Sequence, residues 1–379
     1  MSLPNQRHLF EIPDEITYLN CAYMSPLLRA AREAGEAALA RKSTPWQIKS
    51  GDFFAESEAA RRLFADLISS DPDGIAITPS ASYGLSLAAA NLPVGPGQRI
   101  VMLEDQFPSN VYPWMDLADR GGGTIDVVAR PLDFDWTRGL LERIDERTAV
   151  VAVPHYHWTD GSLVDLERVS ERTRAVGAAL VVDATQSLGA APLDLGRVRP
   201  DFLAAASYKW LLGPYSLGFL YAAPERREGR PLEFNWIARQ GSEDFSGLVH
   251  YRDGFQPGAR RYDVGERSNF ALIPAAMAAL EQIRAWQVEE IAATLAELCS
   301  HIERQASQLG LLTPPSERRA PHLIGLRSAS KLPSGLPERL ESARIFVSVR
   351  GSSIRVSPHL YNTREEVDRL FGVLAEVLG

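Results

Sequence analysis

Seven short apolar runs recur along the chain: Ile75–Thr78, Arg99–Leu103, Thr124–Val128, Thr148–Pro154, Ala179–Asp183, Phe202–Ala206 and Leu217–Tyr221. They are rich in Val, Ile, Leu and Ala without clean in–out alternation, the pattern of strands covered on both faces. Amphipathic stretches separate most of them, such as Leu163–Val176 with Asp165 and Glu167 near its start. Repeated strand–helix units predict an α/β protein with a mostly parallel, seven-stranded, doubly wound sheet flanked by helices. In such sheets ligands sit beyond the carboxyl ends of the strands, so those ends are where chemistry is sought.

After the Gly-, Pro- and Arg-rich segment Asp253–Arg261 the pattern changes. A long helical stretch is expected around Leu272–Ala293, then, past the Pro-rich Thr313–Pro321, three strand-like runs at His322–Leu326, Ile345–Val349 and Ser353–Ser357. The last segment, Thr363–Leu378, reads as a helix with Thr363 as N-cap and Glu365 and Glu366 in its first turn. The expected organisation is an N-terminal arm over 1–20, a large domain over 21–255 and a smaller α+β domain over 256–379, with the arm packing on the small domain.

Composition narrows the class. Apolar residues make up 45% and charged residues 23% of the 379 positions, as in an ordinary globular protein. No uncharged apolar run approaches the roughly 18 residues that span a bilayer, and the polar start predicts no signal segment. With only Cys21 and Cys299 there is neither a disulfide framework nor a cysteine metal site, which points to the cytoplasm. A formal charge of −8 argues against nucleic-acid binding. No metal is expected: His155 and His157, at i,i+2 spacing, lack a clear third ligand. Each of these two histidines reads equally as a structural or a substrate-reading residue.

The run Ala179–Asp183 ends in a carboxylate, and Phe202–Ala206 runs into Ser207, Tyr208 and Lys209. A buried carboxylate is costly unless paired, so Asp183 is either a local turn or cap, or the partner of a cation. Lysine rarely sits in so apolar a setting, and a desolvated lysine has the lowered pKa of a Schiff-base amine. Together they point to pyridoxal phosphate, whose pyridinium needs an anion and whose aldehyde needs an amine. Small hydroxyl residues in Thr78–Tyr83 stand at a strand-to-helix turn and read as a plain N-cap or an anion cradle. No GxGxxG or GxxxxGK[ST] pattern occurs, which leaves a single small phosphate rather than a nucleotide.

Five segments in order resemble the class V aminotransferase group of fold-type I pyridoxal-phosphate enzymes, which includes cysteine desulfurases, kynureninase and isopenicillin-type epimerases. They are YLNCAYMSP (Tyr18–Pro26), ITPSASYGLSL, VVDATQSLGA, SYKWLLGPYSLGFLY and RVSPHLYNTREEVDRL (Arg355–Leu370). The resemblance implies that Lys209 is the Schiff-base lysine and proton shuttle, that Asp183 pairs with the pyridinium, and that Gln186 bonds the ring hydroxyl. It places Ala81 and Ser82, with Ser207 or Tyr208, at the phosphate and Arg355 at the substrate carboxylate. It further implies a homodimer with shared sites, in which Ser268 and Asn269 reach the neighbouring phosphate and Trp236 lies near it. The substrate would be a small α-amino acid, with a keto acid as second substrate if the reaction is transamination.

Two departures shape the expected activity. The stretch Val347–Arg355, where desulfurases carry their nucleophile, contains no cysteine, so desulfuration is disfavoured. Phe107 replaces the desulfurase ring-stacking histidine, giving dispersion without a proton donor; an ordinary core aromatic is the other reading. The FPSN segment at Phe107–Asn110 and the Ser268–Asn269 pair lean towards kynureninase, whereas Gln186 and Asn110 depart from it. Trp158 stands where desulfurases have an asparagine. The leading expectation is an aminotransferase; a kynureninase-like or other C–C or C–S lyase, or an epimerase, is the alternative. A silent cofactor-binding regulator fits least.

Overall fold

The computed structural model describes residues 2–350 and 352–378. All seven runs form strands, and they join one sheet: β2 (Ile75–Thr78), β3 (Arg99–Leu103), β4 (Thr124–Val128), β5 (Thr148–Pro154), β6 (Ala179–Asp183), β7 (Phe202–Ala206) and β8 (Gly218–Ala222). A two-residue strand, β1 (Thr17–Tyr18), precedes them. The sheet order is β2-β8-β7-β6-β5-β3-β4, with β8 antiparallel to both neighbours and the remaining pairs parallel. Six of the seven strands are buried almost throughout; β4, at one edge, is half exposed, whereas β2 at the other edge is covered.

Helices α1 (Arg29–Arg41) through α7 (Leu195–Val198) lie among these strands; those that matter for the site are α3 (Ala81–Ala90) and α6 (Leu166–Val176). Asp165 caps α6 by accepting from the Arg168 amide, as its position in the sequence suggests. Helix α4 (Tyr112–Gly121) stops at Gly122, whose φ of 72° is the left-handed conformation glycine adopts freely. The expected single helix over Leu272–Ala293 is two helices, α8 (Leu272–Trp286) and α9 (Val288–Gln308). Gln287 between them has φ of 65°, a break that the uninterrupted apolar pattern conceals.

A second, three-stranded antiparallel sheet comprises β9 (Ile324–Arg327), β11 (Ser348–Arg350) and β12 (Ser353–Val356), with β12 in the middle. The expected strand Ile345–Val349 divides into β10 (Ile345–Phe346) and β11, because β10 turns away to pair in parallel with β1. Helix α11 (Arg364–Leu378) opens with a reciprocal cap, in which Glu366 N donates to Thr363 Oγ1 and Thr363 N donates to Glu366 Oε2.

Three buried clusters hold the molecule together. Two line the faces of the seven-stranded sheet, and one of these also gathers α8 and the start of α9 through Ile273, Leu280, Ile283 and Leu295. The third joins Leu19 to Leu298, Ile324, Ile354, Leu370 and their neighbours. Residues 258–295 thus pack with the large sheet, and the segment just after β1 packs with the small one. Among the described residues, no helix is long and apolar enough to cross a membrane.

Candidate active site

A cavity of about 290 Å³ opens where β3, β5, β6 and β7 end. The chain leaves β3 towards β4 and leaves β5 towards β6 on the opposite side, so the cavity lies at the topological switch point. A second cavity of about 270 Å³ adjoins it, and both are lined by Phe107, Trp158, Tyr208, Lys209 and Tyr215. Arg350 and Arg355 line the second cavity alone.

Lys209 follows β7 and is 6% exposed. Its Nζ stands 5.2 Å from the centre of the Phe107 ring and 5.5 Å from that of Tyr208, and among the described residues no hydrogen bond or ion pair engages it. Burial, and then the charge of Arg355, lower its pKa to about 8, while Asp183 pulls the other way. Asp183 ends β6 and lines the same cavity, with Oδ1 accepting from the Thr185 amide at 3.0 Å. Burial holds its carboxyl above the ordinary carboxylate range.

Two glycines let the segments bearing these groups come together. A Cβ on Gly213 would overlap the Ser207 hydroxyl, so a side chain there would turn that hydroxyl away. Gly189, at φ of 97°, lies against the Trp210 carbonyl, where no side chain fits. Trp210 Nε1 donates to Gln186 Oε1 at 2.8 Å, and Gln186 Nε2 donates to the Ala22 carbonyl at 3.1 Å. The amide of Gln186, which lines the cavity, keeps one N–H beyond these bonds.

The far end of the cavity is the first turn of α3. Ser80 caps that helix by accepting from the Tyr83 amide, and Ser80, Ala81 and Ser82 line the wall. Ser82 Oγ donates to Ser109 Oγ at 2.7 Å. Tyr208 lines the cavity, whereas Ser207 is 1% exposed beneath the lining. Phe107 and Trp158 meet edge to face at 5.5 Å between centres.

Alternation after β5 decides the two histidines. Pro154, Tyr156 and Trp158 line the cavity, and His155 and His157 do not. His157 bonds Thr159 Oγ1 and the Glu104 carbonyl and stacks on Trp136 at 4.9 Å; burial lowers its pKa to about 4. His155 stacks on Tyr156 at 4.1 Å, and burial lowers its pKa to about 3. Both are neutral, packed side chains. The described residues hold no cluster of His, Cys, Asp and Glu that could bind a metal.

Arg355, in β12, is 2% exposed and no carboxylate pairs with it among the described residues. One Nη donates to the Trp158 carbonyl at 2.9 Å and the other to Ser348 Oγ at 3.2 Å, while Nε has no partner. Burial, and then Arg350, lower its pKa to about 10. A buried, incompletely bonded guanidinium facing a cavity is fitted to an anion.

Within one chain Trp236, Ser268 and Asn269 are not at this cavity. They line a separate one of about 540 Å³ with Phe53 and Phe270, and Asn269 Oδ1 accepts from the amides of Ala271 and Leu272 at the start of α8. The residues that sequence reasoning missed are Tyr156, Thr185, Ser109, Tyr215 and Arg350. Tyr156 and Thr185 each lie within two residues of positions singled out, and the strand-end rule reaches them; Arg350 gives no local signal.

Residues 47–370 match the family described as aminotransferase class-V. The chain belongs to the class V aminotransferase family. That family is dependent on pyridoxal phosphate. An uncharacterized aminotransferase of Bacillus subtilis is 30% identical over 96% of this chain and 95% of its own length. The isopenicillin N epimerase of Streptomyces clavuligerus is 28% identical over 84% of each chain. A solved cysteine desulfurase from Thermococcus onnurineus superposes with a TM-score of 0.86 at 21% identity, covering 100% of this chain and 99% of its own, and shares the fold. The side chains present suit the family's cofactor: an unengaged buried amine, a buried carboxyl, an aromatic wall and a helix N-terminus with hydroxyls surround one cavity.

Proposed function

We propose that this protein is an aminotransferase acting on a small α-amino acid, with pyridoxal 5′-phosphate bound through Lys209. The observation that carries this reading is the unengaged Lys209 amine, buried at the junction of two cavities, one holding Asp183 and the other Arg355. When bound, pyridoxal phosphate supplies an aldehyde that condenses with amines and a cationic ring that draws electrons from the substrate α-carbon.

The chain supplies the rest. Asp183 holds the ring nitrogen's proton as the counter-ion of that cation; at an effective dielectric near 20 a contact pair is worth about 4 kcal/mol. Ala81, Ser82 and Tyr208 hold the phosphate at the N-terminus of α3. Gln186, with one N–H free, would hold the ring hydroxyl, and Phe107 would supply an apolar wall to the ring. Arg355 orients the substrate by its carboxylate. Nζ of Lys209 would carry the proton to and from the substrate α-carbon. Tyr23 and Met24, in the second cavity, border the entrance.

A dimer that shares sites is part of this reading: a second copy would cover the cavity formed by Phe53, Trp236, Ser268 and Asn269, and bring the last two to a neighbouring phosphate. A cytoplasmic location accords with two free, buried thiols. An epimerase or a side-chain lyase is the second reading, and the epimerase among the relatives favours it. Desulfuration has no support in the site: Cys21 is buried with Sγ directed at the Lys209 carbonyl, and Cys299 lies in the distant small-sheet cluster.

The deciding experiment is a screen of amino acids against the purified protein, reading the cofactor spectrum and identifying products with and without keto acids. A transaminase converts to the amine form of the cofactor and is restored by a keto acid. Release of ammonia or alanine, or racemised substrate, without that restoration rejects transamination.

A further inference from the structure

The hairpin of β11 and β12 places a second guanidinium beside the first. Ser348 is the cross-strand partner of Arg355, and Arg350 is partnered with Ser353. Because strands alternate, Arg350 shares a face with Ser348, and hence with Arg355 across the ladder. Both lie over one indole: Cζ of Arg350 is 4.9 Å and Cζ of Arg355 5.9 Å from the Trp158 ring centre. Both line the same cavity, in which the other named side chains are neutral apart from Lys209.

Two like charges on neighbouring strands repel. The other buried arginines are compensated: Arg61 and Arg267 share Asp263, and Arg319 pairs with Glu303. Neither Arg350 nor Arg355 has a carboxylate partner among the described residues, and the one carboxylate lining either cavity is Asp183, beyond Lys209. Arg350 also contributes to the lowered pKa of both Arg355 and Lys209. For the buried Arg355 the compensating charge is left to an occupant, and the exposed Arg350 adds a second positive group to the same cavity wall. A single carboxylate satisfies the buried Arg355; the exposed Arg350, over the same indole, is left for a second.

We propose that Arg350 is a specificity residue and that the substrate is an acidic α-amino acid, its α-carboxylate on Arg355 and its side-chain carboxylate on Arg350. This rests on the reading of the site given above. Arg350 makes no contact with the reacting atoms in this scheme; it selects the substrate by its distal end.

Calorimetric titration of the cofactor-loaded protein with glutarate and with butyrate tests the assignment apart from turnover. Glutarate should bind about tenfold or more tighter than butyrate, a charge-assisted contact being worth about 1.5–3 kcal/mol. Arg350→Met should weaken glutarate about ten- to a hundredfold and butyrate less than about threefold, with Arg350→Lys intermediate. The ratio of kcat/KM for glutamate over glutamine should fall in the same proportion. Equal binding of the two acids, or equal weakening of both by Arg350→Met, overturns the proposal while leaving the transaminase reading intact. If no amino acid alters the cofactor spectrum but glutarate still binds through Arg350, the activity falls and the anion site stands. Thermal unfolding of Arg350→Met, a change at an exposed position, should match the parent.

Discussion

Arg355 donates from its guanidinium to the backbone carbonyl of Trp158 across 2.9 Å, and so ties the small sheet to the loop that follows β5. This bond fixes the arginine's fork at the mouth of the Lys209 cavity without consuming its charge, since a carbonyl, not a carboxylate, accepts. Replacing Arg355 by Lys keeps the charge but loses the bidentate geometry. Steady-state kinetics of Arg355→Lys should show kcat/KM down about ten- to a hundredfold, mostly in KM, from the loss of one charge-assisted bond of about 1.5–3 kcal/mol.

Lys209 has its own pH signature. In cofactor-stripped protein its pKa is about 8 against an ordinary 10.5. Between those values the unfolded chain binds the extra proton and the folded chain does not, so stability rises with pH across that window. The cost of burying the charged form is fully present below pH 8 and is recovered by 10.5. Denaturant unfolding of the stripped protein should gain of order 3 kcal/mol across this window relative to Lys209→Met, which lacks the group. Uptake of pyridoxal phosphate, which needs the neutral amine, should accelerate with a midpoint near pH 8. A midpoint near 10.5 would show that the amine is solvated.

Lys209→Ala should fold and retain its dimensions, but show no borohydride-sensitive absorbance and turnover reduced to background. Reversed-phase separation after borohydride treatment of the parent should place the label on the peptide containing Lys209.

Asp263 carries a structural load close to the site. It accepts from Arg61, from Arg267 and from the Ile77 amide of β2, with the side chains of Asp263, Arg61 and Arg267 all fully buried. Asp263→Ala removes the buried carboxylate that two buried guanidiniums share, leaving them only the partly exposed Glu58, a loss of about 3–5 kcal/mol. A fall in the denaturation midpoint with unchanged slope would register it. Because β2 leads directly into the first turn of α3, retention of pyridoxal phosphate should weaken as well.

Neither thiol should react in the native state. Burial pushes the pKa of both Cys21 and Cys299 up, Cys299 to about 12. Iodoacetamide should label both cysteines only after denaturation, and prior treatment of the native enzyme should leave its rate unchanged. Loss of activity with labelling of Cys21 in the folded protein would instead mark it as accessible to the site.

The linear pattern carried the sheet. Runs of Val, Ile and Leu buried on both faces form strands wherever helices flank them, so all seven were legible, with Lys209 and Asp183 marked by the cost of placing charge at the end of such a run. Helix ends with local chemistry, at Asp165 and Thr363, were equally legible, because a cap is a contact between residues two to four apart. The break at Gln287 was not, since its apolar neighbours continue the helical period and both sides of it pack in the same cluster.

The roles around the cavity depended on facing. His155 and Tyr156 are adjacent, yet the tyrosine lines the site and the histidine does not, a choice made by strand alternation and by what covers each face. Arg350 carries no signature in one dimension; it gains its place from the register of β11 on β12 and from Trp158, 192 positions earlier. Local burial cost and local capping are written in the order of residues. Which distant charges share one cavity is decided only when the sheets close, because Coulomb and packing energies depend on separation in space.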